Sequence, residues 1–192
     1  KQQRLNVPGE KEFMMRGLCY SALSYAPLFI DREVAVIGDG ELAQRSTAEL
    51  ATVAKHATLI CPTDSLPVTA VTQRLKAAGN VTILTGHQVV DVKGDDYAKS
   101  LVVRDRQGKT TELPAEGTFV EMALVPNSQI VADFVALDEQ KRIIIDCGNH
   151  TSVPGIFAAG DVTNTYAEQV LVAVGEGAKA ALSAYDYLLT LP

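Results

Sequence analysis

Short apolar runs alternate with amphipathic segments in the first half of the chain. The first run, Glu33–Ile37, is of the β-branched kind that fills a parallel strand covered on both faces. It leads into a glycine turn and then into small and apolar residues at roughly helical spacing. This order recurs, so the pattern predicts an α/β fold with a doubly wound, Rossmann-like parallel sheet covered by helices. The predicted strands are residues 33–37, 58–60 and 81–84, and the predicted helices are residues 42–54 and 67–78.

The hydrophobic period shortens to two between residues 87 and 116. Strands at 89–92 and 100–103 are bounded by polar turn candidates, which predicts an antiparallel β-meander inserted into the doubly wound pattern. Residues 118–124 form the predicted closing strand, and Pro126-Asn127 marks a boundary. Beyond it, the pattern predicts strands at 143–145 and 156–159 and a helix at 168–189.

Composition narrows the classes of protein. The chain has 192 residues, of which 47% are hydrophobic and 21% charged, as in ordinary globular proteins. A net charge of −6 without a basic cluster argues against nucleic-acid binding. The uncharged apolar runs are too short to span a membrane. The start Lys-Gln-Gln-Arg, without an apolar segment, predicts a fragment or a processed chain rather than a signal peptide.

The cysteines and histidines do not form a metal-binding pattern. Cys19, Cys61 and Cys147 are far apart in sequence, and the three histidines lack ligand spacing. We therefore expect structural thiols, no metal site and a reducing, cytoplasmic location, although a long-range disulfide stays open.

A glycine motif lies between the first predicted strand and the first predicted helix. In this GxGxxA sequence, Gly38 permits the tight turn, Gly40 lets a diphosphate approach the backbone, and Ala43 allows the helix to pack closely on the strand. The first helical turn, with Glu41 and Leu42, offers N–H groups to the phosphates. These five residues are candidate cofactor ligands, and the alternative is a tight turn without a ligand. The two carboxylates at the turn, those of Asp39 and Glu41, would repel a diphosphate unless they point away.

The end of the second predicted strand carries the next candidate. An NAD site usually has an acid there that binds the ribose, whereas an NADP site has an arginine. Asp64 could accept a hydrogen bond from a ribose hydroxyl, but it lies a few residues beyond the usual place and is equally well placed as a loop acid or as a helix N-cap. Because residues 61–67 contain no arginine, specific NADPH binding is not predicted.

A second candidate site follows the run at 156–159. There Asp161 presents a carboxylate beside Gly160, which has no side chain, an arrangement suited to gripping a ligand hydroxyl close to the backbone. An ordinary acid in a loop after a strand is an equally good interpretation.

Four segments resemble, in this order, the low-molecular-weight thioredoxin reductase family. They are Leu5-Asn6-Val7-Pro8-Gly9-Glu10, Ala26-Pro27-Leu28-Phe29, residues 34–43 and residues 155–162. The run that begins Glu168-Gln169-Val170 is similar to the related alkyl hydroperoxide reductase flavoproteins. The resemblance implies an FAD enzyme in which a pyridine nucleotide domain is inserted into the FAD domain.

The resemblance also implies a division of the chain and a set of FAD ligands. Residues 1–9 would be a connector, residues 10–125 an NAD(P)-binding-like domain, and residues 126–192 the C-terminal segment of an FAD-binding domain whose N-terminal half lies outside this chain. Asp161, next to Gly160, matches the family's aspartate near the ribityl and phosphate groups of FAD. Gln169 and Val170 match the residues at a helix start that meet the isoalloxazine edge.

The sequence departs from the family pattern at three places. The redox CxxC is replaced by Ser21-Ala22-Leu23-Ser24, and a serine hydroxyl has no disulfide to cycle through. The family's basic 2′-phosphate segment aligns with residues 61–67, which carry none of its arginines, and its closing-strand glycine aligns with Ala123. The serines could also be engineered replacements of cysteines.

Two functions follow from the resemblance and these departures. The first is a thioredoxin reductase-like flavoprotein oxidoreductase, but not an active thioredoxin reductase, that moves electrons between FAD and NADH, NADPH or an electron-donor protein without a dithiol relay. The alternative is a non-enzymatic regulatory module that binds FAD or a nucleotide and retains the fold. No side chain stands out as a catalytic acid, base or nucleophile, and we expect a homodimer.

Overall fold

The computed structural model describes residues 2–122 and 124–192, with only the backbone of Leu23. Contacts divide the chain into two compact units, Gln2–Ala123 and Leu124–Pro192. The first unit contains every strand that the structure describes. In chain order these are β1 Leu18–Cys19, β2 Glu33–Ile37, β3 His56–Cys61, β4 Val81–Thr85, β5 Gln88–Gly94, β6 Ala98–Arg104, β7 Thr110–Pro114 and β8 Gly117–Val120.

The strands form two sheets, as predicted. A five-stranded sheet has the order β1-β8-β2-β3-β4 with all neighbours parallel, and a three-stranded antiparallel sheet has the order β5-β6-β7. The α/β fold with a doubly wound parallel sheet and an antiparallel meander is therefore confirmed. The closing strand β8 is shorter than predicted: it ends at Val120, and Ala123 lies outside the described residues.

Strand β2 is buried on both faces, which explains its unbroken apolar run. Val34 and Val36 pack in a cluster that includes Leu50 and Leu59. Ala35 and Ile37 pack in a second cluster, which includes residues of the antiparallel sheet. Alternate side chains thus enter two cores, one on each face of the parallel sheet.

Three of the described helices lie where the hydrophobic pattern places them, with shifted ends, whereas the pattern does not predict the short helix Ala22–Tyr25. The predicted helix 67–78 begins later because the side chain of Thr69, not that of Asp64, caps it in a capping box with Thr72. The N-cap interpretation of Asp64 is therefore wrong. The predicted helix 42–54 ends earlier, since the chain turns after Leu50. The helices are α1 Ala22–Tyr25, α2 Glu41–Leu50, α3 Ala70–Ala77 and α4 Val170–Leu189, with 3-10 turns at Ala26–Phe29 and Ser128–Val131.

In the Leu124–Pro192 unit, the prediction of strands at 143–145 and 156–159 is wrong. Ile143 forms isolated bridges, and the N–H of Ile145 donates to Oδ1 of Asn164 at 3.0 Å instead of to a neighbouring strand. Loop groups accept the hydrogen bonds of these backbone N–H groups. No strand pairing therefore forms at these residues, although β-branched residues favour strands.

Helix α4 exposes much of its apolar surface. It has 20 residues, and none of them is buried in the described structure. Among the described residues, no helix combines the length and apolarity that a membrane crossing requires. The large apolar side chains that α4 exposes are Val170, Leu171, Val174, Leu182, Tyr185, Leu188 and Leu189.

Candidate functional site

The glycine turn lies where the strand order of the parallel sheet reverses. From β2 the chain continues to β3 and β4 on one side, while β8 and β1 lie on the other, and ligands of doubly wound sheets bind at the carboxyl end of such a point. Gly38 follows β2 there. A Cβ atom on Gly38 would overlap the carbonyl oxygen of Glu121 and lie 2.8 Å from Cβ of Ala43. Close packing of strand, turn and helix therefore requires glycine at 38 and a small residue at 43.

The start of α2 is open to a ligand. Gly40 is the N-cap, so no side chain caps the first-turn N–H groups, and a Cβ atom there would meet nothing within 4 Å. The carboxylate of Glu41 lies 3.6 Å from the guanidinium of Arg45, one turn further along the helix, and Leu42 is partly exposed. Uncapped N–H groups at a helix start and free space beside Gly40 suit a phosphate group.

The loop after β3 reaches an arginine from the other sheet. Asp64 forms an ion pair with Arg106, which lies in the turn between β6 and β7. The Arg106 side chain also covers Gly86, after β4, where a Cβ atom would lie 2.8 Å from its Nε. The sequence analysis missed this cation because residue 106 is 42 positions from residue 64 and local spacing cannot show the contact.

A buried carboxylate links the glycine turn to the segment Ser21-Ala22-Leu23-Ser24. Glu121 is 4% exposed, and its Oε1 accepts a 2.6 Å hydrogen bond from the N–H of Ala22. Burial raises the pKa of Glu121 despite this bond and one from Ser46. Burial and the charge of Glu121 also raise the pKa of the Cys19 thiol, so Cys19 is unsuited to act as a nucleophile.

The two serines lie together at the start of α1. Ser21 is the N-cap, and its hydroxyl donates to that of Ser24 at 3.1 Å. The pair here offers only hydroxyl groups.

In the Leu124–Pro192 unit, helix α4 holds the Gly160-Asp161 turn. Gly160 has φ +76°, and its N–H donates to Oε2 of Glu176 at 2.9 Å. Oε1 of Glu176 accepts from the hydroxyl of Thr165 at 2.7 Å. A Cβ atom on Gly160 would lie 3.2 Å from Cβ of Ala173. The sequence analysis missed Glu176, whose role depends on the contact between helix and loop.

The remaining candidate residues of this unit surround the start of α4. The exposed residue Asp161 lines an open cavity of about 240 Å³ with Asn127. Partial desolvation and the charge of Asp161 raise the pKa of Glu168. Gln169 is the N-cap of α4, and Val170 is 78% exposed. In the first unit, the candidate residues lie together at the glycine turn and the start of α2: Gly38, Gly40, Glu41, Leu42 and Ala43. In the second unit, they lie around the start of α4: Gly160, Asp161, Gln169 and Val170.

Residues 1–177 match the family model of the pyridine nucleotide-disulphide oxidoreductases. The chain belongs to this family. It is 38% identical over 189 residues to alkyl hydroperoxide reductase F of Staphylococcus aureus (strain MSSA476), covering 97% of this chain and 37% of that protein. It is 40% identical over 190 residues to the protein of the same name from Xanthomonas campestris pv. phaseoli, covering 97% of this chain and 36% of that protein.

Solved structures of this family have the same fold. The thioredoxin reductase from Streptococcus pyogenes MGAS5005 has a TM-score of 0.86 and 30% identity, covering all of this chain and 63% of that one. The resemblance to thioredoxin reductases and alkyl hydroperoxide reductase flavoproteins is confirmed. The chain spans just over a third of the length of the curated relatives that it matches.

Proposed function

We propose that this chain is the pyridine nucleotide-binding part, together with the C-terminal FAD-binding part, of a thioredoxin reductase-like flavoprotein oxidoreductase. It transfers electrons between a pyridine nucleotide, or an electron-donor protein, and FAD without a dithiol relay. The observation that carries the proposal is the open turn at Gly40, which leaves uncapped helix N–H groups at the carboxyl end of the sheet where its strand order reverses.

The nucleotide is held by the backbone of the GxGxxA turn. Gly38 and Ala43 bring strand and helix together, while Gly40 leaves room for the diphosphate. The N–H groups of Glu41 and Leu42 donate to phosphate oxygens. The carboxylate of Glu41 is drawn towards Arg45, which reduces its repulsion of the diphosphate.

The second unit carries residues that fit FAD. Asp161 lines a cavity next to Gly160, where a ligand hydroxyl can approach the backbone. Gln169 and Val170, at the exposed start of α4, would hold the isoalloxazine edge, as the family resemblance implies. When bound, FAD supplies the hydride and electron chemistry, and these residues bind and orient it. The exposed apolar residues of α4 are then covered by the other half of the FAD domain.

The electron route avoids the serine segment. The hydroxyls of Ser21 and Ser24 are 3.1 Å apart, but they have no thiolate or disulfide state. Cys19 does not replace them, because the residue is only 5% exposed and the pKa of its thiol is raised. The acceptor is a non-thiol compound or a protein that exchanges electrons directly with the flavin.

An anaerobic absorbance titration of the full-length protein with NADH and then with NADPH tests the proposal. We expect the oxidised flavin band to bleach with at least one nucleotide. Gly40→Ala places a methyl group in the diphosphate space and is expected to weaken nucleotide binding with the flavin band retained. Flavin that neither nucleotide reduces would refute the electron transfer from pyridine nucleotide.

The alternative function is a non-enzymatic module that binds FAD or a nucleotide. The redox-inert pair Ser21 and Ser24 is the observation in its favour. This function predicts binding of ADP-ribose by the full-length protein without flavin reduction by either nucleotide.

A homodimer and a cytoplasmic location complete the proposal, and sedimentation of the full-length protein tests the dimer.

A further inference from the structure

The carboxylate of Glu10 is buried and surrounded by hydrogen-bond donors. The residue is 2% exposed, and its carboxylate accepts three hydrogen bonds of 2.8 Å. Two come from the adjacent backbone N–H groups of Leu5 and Asn6, and the third comes from the hydroxyl of Tyr20, just after β1. Burial and the bond to Glu10 raise the pKa of Tyr20 to about 12, so its hydroxyl stays a donor. Because a buried charge without donors is costly, Glu10 holds these three groups in place.

The residues just before Glu10 lie along the edge of the antiparallel sheet. Strand β5 is at one end of the order β5-β6-β7, so one side of its backbone pairs with no other strand of that sheet. On that side the N–H of Val92 donates to the carbonyl of Pro8 at 3.1 Å. Gly9 has φ +77°, and a Cβ atom on it would overlap the carbonyl oxygen of Val92. Leu5 and Val7 pack against the second core cluster. This segment thus covers an edge N–H group and part of a core.

We propose that residues 5–9 form a strap that Glu10 latches over the edge of β5. The strap is held near both ends, since Glu10 binds the N–H groups at its start and Val92 binds the carbonyl of Pro8 near its finish. An open edge strand can pair with another chain, and the strap closes this one. The strap therefore belongs to the nucleotide-binding part of the chain, which begins at Leu5 rather than at residue 10.

Hydrogen exchange of the full-length protein, measured at single amides, tests the latch. Glu10→Gln keeps the side-chain shape, but its NH₂ group cannot accept a hydrogen bond, so one of the two backbone N–H groups loses its acceptor. We expect at least about tenfold faster exchange at Leu5 and Asn6. We expect the same at Val92, whose N–H is bonded to the strap and not to Glu10. The amide of Val36, in the core of the parallel sheet, should exchange at the wild-type rate.

Cleavage by trypsin gives a second measurement on the same full-length protein. Trypsin cuts after the exposed Arg4, and the N–H on the other side of that bond is the Leu5 N–H that Glu10 holds. We expect Glu10→Gln to be cut there about tenfold faster than the wild type. Gly9→Ala should also be cut faster, because it forces the strap off β5 without changing the latch. The exposed acid Glu12 supplies the matched control, and Glu12→Gln should be cut at the wild-type rate.

Three results would overturn the inference. Unchanged cleavage after Arg4 in Glu10→Gln would show that the carboxylate does not hold the strap. Faster exchange at Leu5 and Asn6 with unchanged exchange at Val92 would show that the latch and the sheet edge open separately. Equally faster exchange at Val36 would mean that Glu10 supports only the stability of the whole domain. None of these measurements uses a nucleotide or the flavin, so the proposed function is tested separately.

Discussion

The carboxylate of Glu121 accepts a 2.6 Å hydrogen bond from the backbone N–H of Ala22, which is 99 positions earlier in the chain. The carbonyl of the same glutamate lies against Gly38, so close that no Cβ atom fits between them. One buried residue after the closing strand therefore contacts both the glycine turn and the serine segment.

Replacing Glu121 by Gln should change the pH dependence of stability. Burial raises the pKa of Glu121 in the folded protein, so ionisation opposes folding. Its contribution to the free energy of unfolding is present below the unfolded-state pKa of about 4.3 and is lost as the pH rises through the folded-state pKa. We expect the stability of Glu121→Gln relative to the wild type to increase over this range.

Chemical denaturation at a series of pH values measures this difference. Glu121→Ala is the control: it leaves the Ala22 N–H unsatisfied and should cost about 1–3 kcal/mol. Parallel pH profiles for the wild type and Glu121→Gln would show that Glu121 does not titrate as expected.

The two glycines of the turn should respond differently to alanine. Gly38→Ala forces a Cβ atom against the Glu121 carbonyl and 2.8 Å from Cβ of Ala43, and we expect it to destabilise the protein by about 1–3 kcal/mol. Gly40→Ala has free space and a φ of −92°, so only the poorer fit of alanine at a helix N-cap should lower its stability, by no more than about 1 kcal/mol. Urea denaturation measures the free energy of unfolding of both variants. An equal loss of stability in the two would contradict the argument that only Gly38 is closely packed.

Cysteines in place of the serines should form a disulfide. The hydroxyls of Ser21 and Ser24 are already 3.1 Å apart at the start of α1, so the Ser21→Cys, Ser24→Cys double variant needs little backbone movement. After mild oxidation and denaturation, we expect titration of only the three native thiols. Ser21→Cys alone is the control and should add one free thiol. Two added thiols in the oxidised double variant would show that the segment does not hold the pair together.

The sequence predicts the parts of this fold that depend on local pattern. The apolar run Glu33–Ile37 and the glycine turn after it lie where expected, because burial on both faces and close packing leave few other residue types. The contacts of Arg106, Glu121 and Glu176 could not be predicted. Each joins elements that are distant in sequence, so neither periodicity nor spacing carries the information.

The loop at Gly160 should depend on Glu176 for its order. The Glu176 carboxylate accepts one hydrogen bond from the Gly160 N–H and one from the Thr165 hydroxyl. Glu176→Ala removes both acceptors, and we expect faster hydrogen exchange at the Gly160 amide and weaker flavin retention in the full-length protein. Thr165→Val removes only the second bond, so its Gly160 amide should stay protected. Equal exchange rates in the wild type and Glu176→Ala would mean that the loop is held by its own turn, in which the Thr163 hydroxyl donates to the Gly160 carbonyl at 2.7 Å.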